Sequence, residues 1–255
     1  MSARAFTRRS ALGLAALLAL RVAPARAFGG AGAFHPRLLT VGGRRVDSAR
    51  AEAAARWAWE LVRRTSAPAR IVTTFVAPDQ QELLTEPFVI WAGKEELPPL
   101  ARSEVRGLRQ FLKLGGVMVV DDADPAGGAF TQSVKRELRR VLPESPVVKL
   151  DASHVIFKTY YIIDRPVGRE LGPPRVEAVV RGKNAQVLLL KHDLLGALAR
   201  REGAWALPVE PGGEQQRQYA IRLAVNLAMY VLCSDYKDDQ VHAPWLMRRR
   251  ARQHP

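Results

Sequence analysis

Three aspartates, Asp121, Asp122 and Asp124, follow directly on the apolar residues 117–120 in the stretch GGVMVVDDADP. Adjacent carboxylates can hold a divalent cation, share a proton or supply a nucleophile. They can equally cap the next helix and solvate a tight turn, which Pro125, Gly127 and Gly128 favour here. Neighbouring carboxylates repel unless a cation, a helix N-terminus or another donor separates them. Either role therefore needs a specific partner.

Other residues compete for the same chemistry. His154, in DASHVIF, precedes an apolar run. It could form an acid–imidazole pair with Asp121 and Asp122, or be a turn histidine held by Asp151 or Ser153. His192 and Asp193 close the run VLLLKHD, and Gly93 closes FVIWAG. If those runs are parallel strands, Gly93, Asp121, Asp122 and Asp193 share the carboxyl-end rim where open sheets bind ligands.

In KDDQVH, Asp238 and His242 are four apart, a spacing that puts two metal ligands on one helix face. Pro244 disfavours helix there, so a polar turn is the competing reading. Cys233 is the sole cysteine, which excludes an internal disulfide. Its apolar setting, AVNLAMYVLC, predicts a buried, inert thiol. No G-x-S-x-G, Walker A, G-x-G-x-x-G or C-x-x-C motif occurs, and no metal or cofactor is expected.

The elements that must position these residues alternate. RLLTVGG reads as a strand, and DSARAEAAARWAWELVRR as a helix capped by Asp47 or Ser48. RIVTTFVA and PFVIWAG are short apolar runs bounded by Pro and Gly, as in strands buried on both faces. Helices follow over residues 101–114 and 128–142, with VMVVDD as a strand between them. HVIFKTYYII, RVEAVVRG and AQVLLLKHD read as further strands, then helices at 194–200 and 215–233 close the chain. This alternation predicts a three-layer α/β domain with a parallel sheet. One domain over residues 28–255 is expected, with a basic tail from about 246.

The N-terminus reads as an export signal. Residues 1–10 are basic, residues 11–20 are an apolar run too short to span a bilayer, and Ala25-Arg26-Ala27 fits a cleavage site. Arg8 and Arg9 in TRRSAL resemble a twin-arginine pair, with an ordinary Sec signal as the alternative. Periplasmic or otherwise exported localisation is expected on either route. The net charge of +14 includes five Arg in residues 1–27 and no acid there, so cleavage leaves +9. Nucleic acid is not expected as a partner of an exported chain. Arg248, Arg249 and Arg250 form either a solvated tail or a contact with anionic membrane or cell wall.

FVIWAG, the helix after it and GGVMVVDDADP together resemble the core of class I glutamine amidotransferase-like (flavodoxin-like) folds. There the corresponding strand ends in a turn with a nucleophilic Cys, where this chain has Asp121 and Asp122. The resemblance implies the fold and argues against that reaction. FVIWAGKEELPPLARSEVRGLRQFLKLGGVMVVDDAD, FTQSVKRELRRVLPE, DASHVIFKTYYII and AVNLAMYVLCSDYKDDQVHAPWLMRRR resemble bacterial domain-of-unknown-function family 4159. Membership implies neighbours such as MoxR-type ATPases and von Willebrand A-domain proteins, and implies no established activity. The expected function is a non-catalytic ligand- or protein-binding module in a cell-envelope assembly. The alternative is a carboxylate- or metal-dependent hydrolase using Asp121 and Asp122 with His154.

Overall fold

Two strands form the centre of the molecule. β3 (Phe88–Gly93) and β4 (Val117–Asp122) pair in parallel, from Phe88 opposite Val117 to Gly93 opposite Asp122. Successive residues of a strand point to opposite faces. Phe88, Ile90, Val117 and Val119 therefore pack on one side, while Val89, Trp91, Met118 and Val120 pack on the other. A run that is apolar at every position suits burial on both faces.

The computed structural model describes residues 32–182 and 184–251, those from 235 onward as backbone alone. The expected export signal lies outside the described residues, as do the side chains of Asp238, Asp239, His242, Arg248, Arg249 and Arg250. The remaining sheet strands are β1 (Arg37–Leu39), β2 (Phe75–Val76), β5 (Val147–Leu150), β6 (Val176–Arg181) and β7 (Asn184–Leu190). The sheet order is β2-β1-β3-β4-β7-β6-β5. The first five in that order are parallel; β6 runs antiparallel to β7, and β5, antiparallel to β6, again runs in the direction of the first five. The expectation of a parallel sheet is thus corrected to a mostly parallel one. Arg181 pairs with Asn184, three positions further along the chain, and Gly182 after it has φ +61°. So short a connection can join only antiparallel strands.

Helices cover both faces. α1 (Ser48–Thr65) and the long α5 (Gly213–Ala251) lie on one, joined by the Trp57 Nε1 donor to Ala224 O at 2.7 Å. α2 (Arg102–Lys113) and α3 (Ala129–Val141) lie on the other. The short α4 (Leu194–Leu198) follows β7, and a hairpin of β8 (Arg200–Arg201) and β9 (Ala204–Trp205) stands outside the main sheet. α5 continues through residues 237–244, so the turn expected in KDDQVH does not form. Cys233 faces outward on α5, not into the core as its apolar neighbours led us to expect. Among the described residues no helix is long and apolar enough to cross a membrane.

HVIFKTYYII does not become a strand. It forms a single 3-10 turn, Val155–Phe157, followed by irregular chain. Asn226, fully buried on α5, explains why. Its Oδ1 accepts the N–H groups of Tyr160 and Tyr161 at 3.1 and 2.7 Å, and its Nδ2 donates to Tyr161 O at 2.8 Å. One side chain satisfies backbone groups that a ladder would otherwise take. Truncating Asn226 to Ala strands two donors and an acceptor, each costing about 1–3 kcal/mol when buried. Asn226→Ala should lower the urea midpoint by the equivalent of about 3 kcal/mol without changing the slope. An unchanged midpoint would show that this segment finds other partners.

Candidate functional site

The pleat of β4 sends Asp121 and Asp122 to opposite faces of the sheet. Asp121 accepts the N–H groups of Leu194 and Leu195 at 2.8 and 2.7 Å, at the start of α4. Asp122 accepts Asp124 N at 2.9 Å, Thr131 N at 3.3 Å and the Thr131 hydroxyl, in the first turn of α3. Both side chains are buried. Each carboxylate fills the free donors of a helix N-terminus, where negative charge is favoured. Burial raises the pKa of Asp122. Asp121 is pushed up to about 8 by burial and then by the charge of Asp193, against the pull of its two N–H bonds.

Asp193 caps α4 through Gly196 N at 3.0 Å. It also receives a fork from Arg50, Nε at 2.7 Å and Nη2 at 2.6 Å, and a further bond from Arg169 Nε. The wholly buried carboxylate is thus compensated by two guanidinium groups. His192 donates through Nε2 to Pro173 O, 2.8 Å away, and burial holds its pKa down to about 4. His154 caps the 3-10 turn, its Nδ1 accepting Ile156 N at 3.4 Å, and its ring leans on Tyr230. Burial lowers its pKa, and Asp151 is the carboxylate whose charge acts on it. His154 makes no hydrogen bond to Asp121 or Asp122. Among the described residues no group of three or more His, Cys, Asp or Glu side chains converges to hold a metal ion.

A cleft of about 460 Å³ opens at the carboxyl ends of β1, β3 and β4. β1 is followed by β2 on one side and by β3 on the other, which makes this a topological switch point. Leu39, Trp91, Ala92 and Phe130 line its apolar part, while Arg44, Arg45 and Lys94 stand among its polar residues with Asp47 and Glu95. Of the expected rim residues, Gly93 lines the cleft, and Asp121, Asp122 and Asp193 do not. Gly93 is needed for packing: a Cβ there would fall 2.4 Å from the Phe130 ring, which meets Trp91 edge-on.

Local chain geometry presents the two arginines. Gly42 and Gly43 have φ of +56° and +73°, and Arg44 N returns to Val41 O at 2.9 Å. Positive φ at both central residues defines a type I′ turn and selects glycine. Glu104 anchors it, accepting Gly42 N and Ala101 N at 2.8 Å each. The Arg45 guanidinium lies 4.4 Å from the Phe75 ring centre, and Arg44 donates to Glu96 O at 3.1 Å. The sequence reading passed over Arg44, Arg45 and Lys94. The available signal was GGRR between a strand and the helix cap Asp47.

A family model described as "Domain of unknown function (DUF4159)" matches residues 37–232. The chain belongs to this family. The DUF4159 match starts at β1 and ends within α5, so it takes in the whole main sheet, both caps and the cleft. No curated protein matches the chain.

The raised value of Asp121 has a definite sign for stability. The folded state holds that proton more tightly than the unfolded chain, so stability falls as pH rises from about 4 towards 8. The depressed value of His192 acts oppositely, adding stability from about pH 4 to 6.5 and nothing further above that. Between about pH 6.5 and 8 the Asp121 contribution stands alone of the two. Melting temperature should therefore fall over that window in the wild type, and flatten in Asp121→Asn. Parallel profiles for the two proteins would contradict this assignment.

Proposed function

We propose that this DUF4159 domain is an exported, non-catalytic binding module of the cell envelope. Its ligand is a small molecule bearing an anionic group, held in the cleft between β1 and β3. The carrying observation is the cleft's composition: an apolar floor with Trp91 and Phe130 beside Arg44, Arg45 and Lys94. The floor accepts an apolar body, and guanidinium and ammonium groups pair with carboxylate or phosphate. Binding is preferred to hydrolysis because the strand-end acids are engaged by backbone donors. His154 is engaged with a different element.

Support for an amidotransferase-like, flavodoxin-like plan comes from the parallel strands. Their order, β2-β1-β3-β4-β7, reads 2-1-3-4-5 once the edge pair of β5 and the reversed β6 is set aside as an insertion. On that plan Asp121 and Asp122 occupy the nucleophile's place, and the one cysteine lies on α5. Export rests on the N-terminal sequence. Partnership with A-domain or MoxR-associated envelope proteins rests on family resemblance.

The test is a thermal-shift titration of the purified chain with inorganic phosphate and with succinate. An anion at about a hundred times its Kd adds about 2.7 kcal/mol to the folded state. The wild type should be stabilised, and Arg44→Gln with Lys94→Gln should lose that response. Its unliganded stability should stay within about 0.5 kcal/mol, as for ordinary surface changes. A wild type indifferent to both anions, or a response that survives the double substitution, would count against an anion site in this cleft.

A further inference from the structure

The outer face of α1 and the β8–β9 hairpin carry a second feature, and none of its residues lines the cleft. Arg56, Trp59 and Arg63 sit three and four residues apart, so they form one stripe on α1. The Arg56 guanidinium lies 3.8 Å from the centre of the Trp59 ring and 5.5 Å from that of Trp205. Arg63 stacks on Trp59 at 5.1 Å, and Arg200 on Trp205 at 4.9 Å. Cation and ring thus alternate across two elements distant in sequence. Arg201, next to Arg200 in β8 and exposed, adds a further positive charge to this region.

The positive charge here is only partly compensated. Glu60 is buried and shared between Arg56 and Arg64. Glu202, at the hairpin tip, is the exposed acid beside Arg201. Burial first, and then the nearby charges of Arg200 and Arg63, lower the Arg56 value despite Glu60. Glu60 takes the edge of Arg56 and Gly203 O that of Arg200, while Arg63, stacked on Trp59, keeps its edge to donate, which suits phosphate oxygens.

We propose that this arginine–tryptophan face docks on an anionic lipid surface. Half-buried indoles suit the headgroup layer, and a bilayer's diffuse negative field attracts a row of cations without requiring register. An acidic protein segment would need a groove to seat it. Neither the cleft nor the grooves along α3 and beside β6 contain a residue of this row. The proposal does not depend on the cleft having a ligand.

Cosedimentation of the full chain with vesicles tests it, comparing phosphatidylcholine alone with phosphatidylglycerol mixed in. The wild type should bind the mixed vesicles, less so as salt rises. Each arginine near an anionic surface is worth about fivefold in partition, the equivalent of about 1 kcal/mol. Arg63→Gln with Arg201→Gln should therefore lower partition about 25-fold. Both side chains are exposed, so the fold is kept. Arg248→Gln with Arg249→Gln should leave most of the binding intact. Undiminished binding by the Arg63/Arg201 variant, or loss confined to the Arg248/Arg249 variant, would overturn the proposal. Capture by immobilised polyglutamate with no vesicle binding would replace the lipid with an acidic protein partner.

Discussion

Everything at the carboxyl end of the sheet depends on how one strand disposes of two adjacent carboxyl groups. In β4 the pleat turns Asp121 towards α4 and Asp122 towards α3. Each carboxyl group meets the N-terminal donors of a different helix. The mutual repulsion that the sequence raises is thereby divided between two layers. Lysine or arginine is not required at either position. The arrangement also fixes the two helices against the strand: α3 begins where Asp122 can reach Thr131, and α4 begins where Asp121 can reach Leu194 and Leu195.

Turning the acids inward leaves the switch-point cleft to other residues. Its shape comes from packing, with Phe130 brought over Gly93 by the same helix that Asp122 caps. Its charge comes from a glycine turn that Glu104 ties to α2. Cap, floor and rim are therefore coupled through α3 and α2. This is a mechanical reason for the acids to matter to the cleft without lining it.

Much of this fold was legible in the sequence where a single local pattern decides the outcome. β4 spans VMVVDD as read, because six buried positions in a row leave few alternatives. α2 and α3 fall within a residue or two of the helical periodicity that marks them. The failures share a different cause: a partner remote in the chain. HVIFKTYYII has the composition of a strand, but Asn226 on α5 captures its backbone. The reversed direction of β6 escaped because the direction of a strand is set by its connection, not its composition, and the four-residue β5, VVKL, was not read as a strand at all. The acid cluster could be seen, but its role could not. The donors that use Asp121 lie 73 and 74 residues further on. Arg44 and Arg45 were missed because a pair of arginines has no pattern until a type I′ turn aims it.

Amide hydrogen exchange tests the division of the two carboxylates most directly. Exchange at Leu194, Leu195 and Thr131 would be followed in the wild type, Asp121→Ala and Asp122→Ala. If each acid caps one helix, Asp121→Ala accelerates exchange at Leu194 and Leu195 and leaves Thr131 protected, while Asp122→Ala does the reverse. Acceleration at all three amides by either substitution would show that the acids act together. Protection of all three that rises on adding Mg²⁺ or Ca²⁺ would show a shared ion site and contradict the account.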